Sequence, residues 1–256
     1  MDIALTQIIG AVLVIGLRVS GLMLFAPFFG SAVIPARIKT VLVIAITAIL
    51  YPVYSPRLHA VTLSHWPMLV ASETVVGIAI GIATNIVFEG AQMAGQVLSV
   101  QMGYSLVNIL DPNTQVDSTV VAFFHQTLAM LIFLGLDVHH WILRAVVHSF
   151  DYLPPGSATL NPLFVQALLH EGAVVFDLGI QIAAPVLSAT LLTDIVLGLM
   201  GKASPQMPLM LLGPAVKSML GVTVLGITMR FWPHLFERYF TESIAYTEHL
   251  LHLAHY

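Results

Sequence analysis

Residues 89–118 have the sequence EGAQMAGQVLSVQMGYSLVNILDPNTQVDS, and the interpretation of the whole chain depends on this stretch. It is too polar for an ordinary membrane span and too apolar for a solvated linker, and apolar runs of spanning length lie on both sides of it. Within it, Asp111-Pro112-Asn113 is typical of a turn. Irregular backbone at membrane depth is tolerated only where protein buries it or where it lines a cavity. We therefore interpret this stretch as the functional part of the chain.

Small residues recur at every fourth position in two successive runs, at Gly77 and Gly81 in the preceding apolar run and at Ala91, Gly95, Ser99 and Gly103 in this stretch. Side chains four residues apart share one face of a helix, and small side chains allow two helix backbones to approach closely. The predicted packing face consists of Gly77, Gly81, Ala91, Gly95 and Ser99. The pattern leaves open whether this face packs within the chain or against other subunits around a shared axis.

The composition is that of an integral membrane protein. The chain has 256 residues, of which 58% are hydrophobic and only 9% are charged, whereas a soluble protein carries about 25% charged residues. Cysteine is absent, which excludes disulfides and thiolate metal sites. The net charge of −4 and the lack of a basic run argue against nucleic-acid binding. The first apolar run has no basic segment before it and no A-x-A site near its end, so we expect a retained span rather than a cleaved signal.

Six apolar runs approach the roughly 20 residues that a membrane-spanning helix needs. They are residues 3–29, 40–54, 67–88, 119–136, 163–200 and 209–232, the second being short. The fifth run is too long for one simple span, and we expect interruptions at Glu171-Gly172 and at Pro185. The tail, 233–256, is amphipathic. The sequence thus predicts an all-α, polytopic membrane protein with about six hydrophobic helices and a central irregular loop.

Ionisable residues lie inside five of the six runs. They are Arg18, Glu73, His125, Asp177, Asp194 and Lys217. A charged residue costs roughly 2.5–3.5 kcal/mol at a helix centre on insertion scales, so we expect these groups to be buried in protein, paired or facing water. Few partners for them are evident in one chain, which predicts that neighbouring subunits satisfy them. A proton or ion relay is the alternative.

Signatures of catalysis are missing from the sequence. It has no H-E-x-x-H, no G-x-S-x-G and no glycine-rich phosphate loop, so we predict that the chain is not an enzyme and uses no cofactor or metal. His139-His140 falls at the end of a run, where interfacial histidines are common. The other histidines considered as metal ligands, and as an adventitious set only, are His249, His252 and His255.

Two other classes of membrane protein fit less well. A stand-alone secondary transporter would explain the buried charges, but it is expected to contain inverted repeats, and none is visible. An intramembrane hydrolase would need a nucleophile beside a base, and no such pair is marked in the sequence.

Several segments, in this order, resemble one known family, that of the flagellar biosynthesis protein FliR and its injectisome counterpart SctT. The segments are Arg18 with APFFGSAVIPARIK (26–39), Glu73 with VGIAIG (76–81), AGQVLSVQMGYSLVNILDP (94–112), LIFLGLDVHHWIL (131–143), SFDYLP (149–154), AAPVLSATLLTDIVLGLMGKASPQM (183–207) and Lys217. The 94–112 segment is the most specific. Three positions depart from the family pattern, where Gly is usual at Val138, Asn is common at Pro208 and a Pro stands one place after Pro214.

The resemblance implies a subunit of the export gate of type III secretion in the bacterial inner membrane. One copy is expected to assemble with FliP-like and FliQ-like subunits in a helical complex, beside FlhB-like and FlhA-like export components, and to pass unfolded export substrates. It also implies that residues 1–162 are FliP-like and that 163–232 form a FliQ-like hairpin before the tail 233–256. The DVHH and SPQM motifs favour the flagellar basal body over the injectisome.

In this family the central loop plugs the channel, and that loop corresponds to residues 101–118 here. The implied plug residues are Gln101, Met102, Gly103, Tyr104, Ser105, Leu106, Val107, Asn108, Ile109, Leu110, Asp111, Pro112 and Asn113. Apolar side chains in such a loop can close a pore by excluding water. The Asp-Pro-Asn turn would point them into the lumen.

Overall fold

The computed structural model describes residues 2–27, 29–30, 34–55, 66–104, 119–154, 162–204 and 209–254. The described residues form eight α-helices and one 3-10 turn, with no strand among them. The helices are α1 (Asp2–Phe25), α2 (Ala36–Tyr54), α3 (Trp66–Gln101), α4 (Val120–Gly135), α5 (Val138–Tyr152), α6 (Pro162–Ala203), α7 (Leu209–Thr228) and, after the 3-10 turn Met229–Phe231, α8 (Trp232–Leu253). The predicted plug residues from Ser105 to Asn113 lie outside the described ranges.

The all-α membrane class is confirmed. Five segments in the described part of the chain are long and apolar enough to cross a membrane: Ile8–Phe25, Ala36–Tyr54, Trp66–Gln101, Pro162–Ala203 and Leu212–Leu251. The predicted span 119–136 is too short by itself, because α4 ends at Gly135. It qualifies as a sixth candidate only if α4 and α5 count together as one broken span.

The predicted interruptions of the fifth apolar run are wrong. Helix α6 continues from Pro162 to Ala203, with Pro185 inside it. Proline removes a single N–H donor, and helices in apolar surroundings tolerate that loss when the freed carbonyl finds another partner. Glu171-Gly172 does not mark a break either, because α6 continues through both residues. Pro162 stands at the first helical position, where its missing N–H is not needed.

The chain divides into two compact units. One comprises Met1–Ile86, Asp137–Gly172 and Phe240–Tyr256, and the other comprises Val87–Leu136 and Ala173–Tyr239. The boundaries of these units differ from those of the segments 1–162, 163–232 and 233–256. Those segments were derived from the family resemblance, and the division of the chain into them stays a prediction.

A buried ion pair lies at the centre of the first unit. The Arg18 Nε donates to the Glu73 Oε2 at 2.8 Å, and neither side chain has any exposed surface. The two remaining nitrogens of the guanidinium donate to the Ser149 Oγ and to the Leu153 carbonyl oxygen, each at 3.1 Å. The Phe150 ring covers the guanidinium, with its centroid 4.2 Å from the central carbon. Helix α1, helix α3 and the end of α5 are therefore in contact around the Arg18 guanidinium.

Glycines let α1 and α3 come close enough for this pair to form. A Cβ added at Gly77 would overlap the Arg18 carbonyl oxygen, and one at Gly21 would lie 2.6 Å from the Thr74 carbonyl oxygen. One turn further on, a Cβ at Gly81 would lie 2.9 Å from the Leu22 carbonyl oxygen. Because these contacts are with backbone atoms, a side chain cannot be accommodated by a rotamer change. Gly77 and Gly81 are thus used in packing within the chain.

The prediction that other subunits satisfy the ionisable residues is wrong for this pair. Arg18 and Glu73 find each other, a hydroxyl and a carbonyl inside the first unit. The sequence could not reveal this, because the partners are separated by 55 and more than 130 residues.

We expect Gly77→Ala to destabilise the fold and Gly198→Ala to spare it. The new methyl at Gly77 meets backbone of α1, whereas nothing lies within 4 Å of a Cβ at Gly198. In an open helical position Gly→Ala stabilises by roughly 0.5–1 kcal/mol. Thermal unfolding of the two purified variants in the same detergent measures the difference. A melting temperature for Gly77→Ala at or above that of Gly198→Ala would contradict the proposed close approach.

We also expect Arg18→Met to cost about 3–5 kcal/mol, because it leaves the Glu73 carboxylate buried and uncompensated. The double variant Arg18→Met, Glu73→Leu should be more stable than Arg18→Met, since it removes that charge. Unfolding of the single and double variants measures the coupling. Arg230→Met, at an exposed arginine, is the matched control and should stay within about 0.5 kcal/mol. An Arg18→Met protein as stable as this control would refute the role of the pair.

Candidate functional site

Helix α3 ends where the predicted plug begins. Gly103 has a positive φ of 85°, the left-handed conformation that glycine adopts without strain. The Tyr104 N–H donates to the Ser99 carbonyl oxygen at 2.9 Å, and the Gly103 N–H donates to the Val100 carbonyl oxygen at 3.1 Å. These two bonds are the Schellman motif, which satisfies the last carbonyls of a helix. The chain therefore leaves α3 in a defined direction.

Apolar contacts hold this helix end against α7. Met102 is buried, at 2% exposure. A Cβ added at Gly221 would lie 2.7–2.9 Å from its side-chain atoms, so the absence of a side chain on α7 makes room for Met102. A Cβ at Gly103 would lie 3.1 Å from the Pro214 Cβ. The two residues before Tyr104 thus fit into the surface of α7.

Polar contacts surround this apolar centre. The Ser218 hydroxyl donates to the Tyr104 phenolic oxygen at 2.7 Å. The Gln101 amide donates to the Asp194 carboxylate at 3.4 Å, and the same carboxylate forms an ion pair with Lys217. We call this set the loop-exit site: Gln101, Met102, Gly103 and Tyr104, together with Asp194 of α6 and Pro214, Lys217, Ser218 and Gly221 of α7.

The polar part of the loop-exit site is partly in contact with solvent. The side chain of Asp194 is 44% exposed and that of Lys217 is 20% exposed. Ion pairs with this exposure contribute about 0–1 kcal/mol, and a 3.4 Å amide contact is a weak hydrogen bond. The buried Met102 contributes more, about 1.5–3 kcal/mol for a fully buried side chain of its kind. The site therefore has a firm apolar centre and a weak polar rim.

Asp177 and Asp194 are paired, as expected for ionisable residues of the apolar runs, but neither is buried within this chain. Asp177 and Asp194 both lie on the exposed surface of the chain. Asp177 accepts hydrogen bonds from the Tyr239 hydroxyl at 2.6 Å and from the Gln181 amide at 3.1 Å, so it also has partners in its own unit. Each carboxylate keeps access to water or to a neighbouring molecule, so its burial by other subunits stays a prediction.

Three residues of the predicted packing face, Ala91, Gly95 and Ser99, lie in the second unit. Ala91, Gly95 and Ser99 are buried. A Cβ added at Gly95 would lie 2.9 Å from the Ala122 backbone nitrogen, so α3 and α4 are in close contact there. The structure thus uses the face in packing within the chain, which is one of the two alternatives left open by the sequence.

His125 is buried on α4. Its Nδ1 lies 2.8 Å from the Val121 carbonyl oxygen, and its ring packs against Trp232 at a centroid distance of 4.8 Å. This environment is that of a core histidine and gives no support to an ion relay through it.

In the α7 half of the loop-exit site, the sequence singles out Lys217 but not the residues that contact the end of α3. Pro214 stands out in the sequence only as a departure from the family pattern, and neither Ser218 nor Gly221 belongs to any motif. Positions 214, 218 and 221 are spaced by four and three residues, which places them on one helix face. Proline, serine and glycine have small side chains, so this face of α7 leaves room for another segment to pack against it. That spacing of small residues is the sequence signal that could have predicted the contact.

Comparison with known proteins identifies the family. A model of the family described as bacterial export proteins, family 1, matches residues 9–243. The chain belongs to this family.

Relatives cover most of the chain. Flagellar biosynthetic protein FliR of Escherichia coli (strain K12) is 29% identical over 229 residues, which are 88% of this chain and 87% of that protein. The FliR proteins of Bacillus subtilis (strain 168) and Caulobacter vibrioides are 26% and 28% identical, over 86% and 83% of this chain and 86% and 85% of their own. The resemblance inferred from the sequence motifs is confirmed.

Met102→Ala should loosen the loop-exit site. Removal of a buried side chain of this size costs about 2–5 kcal/mol, so local opening of residues 98–104 should rise at least about tenfold. Amide hydrogen exchange of a peptide covering these residues measures that opening. Val100→Ala, in the same turn but at a side chain that is 64% exposed, is the control. Equal exchange in the two variants would show that Met102 does not anchor the segment.

Proposed function

We propose that this chain is a subunit of the flagellar type III protein export gate, in which residues 101–113 seal the channel through which unfolded proteins cross the inner membrane. The family is one of bacterial export proteins, and the relatives that cover most of the chain are flagellar biosynthetic proteins. That naming favours the flagellar role over an injectisome role. The helices supply at least five candidate membrane spans.

The observation that carries the proposal is the loop-exit site. A seal for unfolded chains has to stay closed to ions when idle and has to move aside when a substrate enters. Met102 and Gly103 fit into α7 and fix where the loop starts. On either side of them, the side chains of Gln101 and Tyr104 are each held by one polar contact at a partly exposed position. The start of the loop can therefore remain in place while the rest of it is displaced.

The exposed apolar surface supports the proposed partners. Helix α6 carries exposed Leu191, Leu192, Ile195, Val196 and Leu199 over two turns. Lipid and the FliP-like and FliQ-like subunits of the gate are the proposed occupants of such surfaces, with FlhB-like and FlhA-like components and the flagellar basal body around the assembled gate. In this role the chain is a non-enzymatic channel component, with 163–232 acting as a FliQ-like hairpin.

Deletion of residues 105–113 tests the seal. We expect the assembled complex to form but to leak small ions, because the apolar residues that exclude water are gone while the loop-exit site is intact. Membrane conductance is measured in cells, and assembly is checked by co-purification of the partner subunits. Deletion of residues 156–159, in another connection of the chain, is the control and should leave conductance unchanged. A tight membrane around an assembled complex that lacks 105–113 would contradict the sealing role.

A second arm of the same experiment tests the polar rim of the loop-exit site. Lys217→Met removes the ion-pair partner of Asp194 and should give a leak smaller than that of the deletion, since Met102 still holds the loop start. Lys202→Met changes the same residue type at the exposed end of α6 and should have no effect. If both lysine variants leaked equally, the polar rim of the loop-exit site would not contribute to the seal.

A further inference from the structure

Three side chains with metal-ligating atoms converge where α4 ends and α5 begins. They belong to the segment Asp137-Val138-His139-His140, in the first unit. The ligand atoms of Asp137, His139 and His140 all lie within 4.8 Å of one another. This group takes no part in the loop-exit site or in the Arg18 ion pair.

The distances are close to those of a bound divalent cation. The Asp137 Oδ1 lies 3.5 Å from the His140 Nδ1 and 3.9 Å from the His139 Nε2. Around Zn²⁺, nitrogen and oxygen ligands at about 2.0–2.1 Å in tetrahedral geometry are about 3.3–3.4 Å apart. The Asp137 oxygen thus needs to move only a few tenths of an ångström relative to each imidazole nitrogen. The two imidazole nitrogens lie within 4.8 Å of each other, and rotation of the exposed His140 side chain can bring them closer.

The backbone at Asp137 turns its carboxylate toward the histidines. An aspartate at this position, directly before a helix, normally accepts a hydrogen bond from an N–H of the first turn. Here the side chain makes no such bond, and the first-turn N–H of His140 donates instead to the Asp137 carbonyl oxygen at 2.9 Å. Asp137 has φ 56° and is the only non-glycine residue with positive φ in the described part of the chain. This conformation leaves the carboxylate beside the two imidazoles.

We propose that Asp137, His139 and His140 form a binding site for a first-row transition-metal dication such as Zn²⁺. Two imidazole nitrogens and one carboxylate oxygen are the donor set that such ions accept. The exposed side of the site leaves further coordination positions for water or for a ligand from a neighbouring molecule. A bound ion would link the α4–α5 break to the first turn of α5 and hold Asp137 in its unusual conformation. The sequence prediction that the chain binds no metal is replaced by this proposal.

Other histidine–carboxylate pairs of the chain differ from the Asp137, His139 and His140 group in the number of ligand atoms. His148 lies 3.8 Å from the Asp151 carboxylate, and His234 lies 3.9 Å from the Glu237 carboxylate. Each of these pairs joins positions i and i+3 on a helix and offers two ligand atoms rather than three. They supply internal controls with the same chemistry and one ligand fewer.

Titration of the full-length chain with Co²⁺ tests the site. The protein is purified in detergent with a tag that contains no histidine, and the visible absorption of the bound ion reports its ligands. We expect saturable binding of about one equivalent and displacement by Zn²⁺. Asp137→Asn keeps a residue that tolerates positive φ but removes the carboxylate, and His140→Gln removes an exposed imidazole. Each should weaken Co²⁺ binding at least about tenfold, since even changes to groups behind the ligands weaken metal binding 10–100-fold.

Control variants separate this site from other histidines. His234→Gln, and a triple variant with Gln at His249, His252 and His255, should bind Co²⁺ as the unsubstituted chain does. Because His140 is exposed, His140→Gln keeps the test valid if Asp137→Asn fails to fold. Absence of saturable binding, unchanged affinity in a folded Asp137→Asn or His140→Gln protein, or loss of binding in the triple variant would overturn the proposal.

Discussion

The first unit is organised by the requirement that a fully buried guanidinium must have its donors satisfied. Arg18 meets this requirement with a carboxylate from α3 and with a hydroxyl and a carbonyl from the end of α5. An apolar pair of the same volume can be equally stable, but it would tolerate a slip of one helix along another. The ion pair does not tolerate a slip, because any shift would leave a buried charge without its partner. The register of α1 against α3 therefore depends on this one interaction.

Glycine at the same place makes that interaction possible. Helix axes that approach until backbone atoms touch must lack side chains at the crossing, and Gly21, Gly77 and Gly81 provide this gap. The carbonyl that Gly77 contacts belongs to Arg18 itself. Close approach and the ion pair are thus one feature, since the helix separation that glycine permits is the one that lets Glu73 reach the guanidinium. Glycine weakens each helix by roughly 0.5–1 kcal/mol per residue, which the packing and the ion pair have to offset.

The all-α membrane class and the packing face could be predicted from sequence because both depend on local composition and on helical spacing. The partners of Arg18, Asp177 and Asp194 could not, because they are set by contacts between distant segments. The predicted interruption at Pro185 was wrong for a related reason. The effect of a proline on a helix depends on the groups that surround the carbonyl it leaves without a donor. Gly103 fits the four-residue spacing of the packing face, yet it ends α3 through its positive φ. The sealing role of residues 105–113 stays a prediction, since they lie outside the described ranges.

A loop that closes a channel needs two kinds of contact, and the two halves of the loop-exit site differ in this respect. Burial of Met102 against a glycine acts only at short range and is lost completely on separation, so it holds the start of the loop in one position. The Gln101–Asp194 and Tyr104–Ser218 hydrogen bonds are individually weak and are exchangeable for water. A substrate chain that displaced the loop would break the second kind first, because those contacts border solvent. The buried residue would then act as the hinge from which the loop returns.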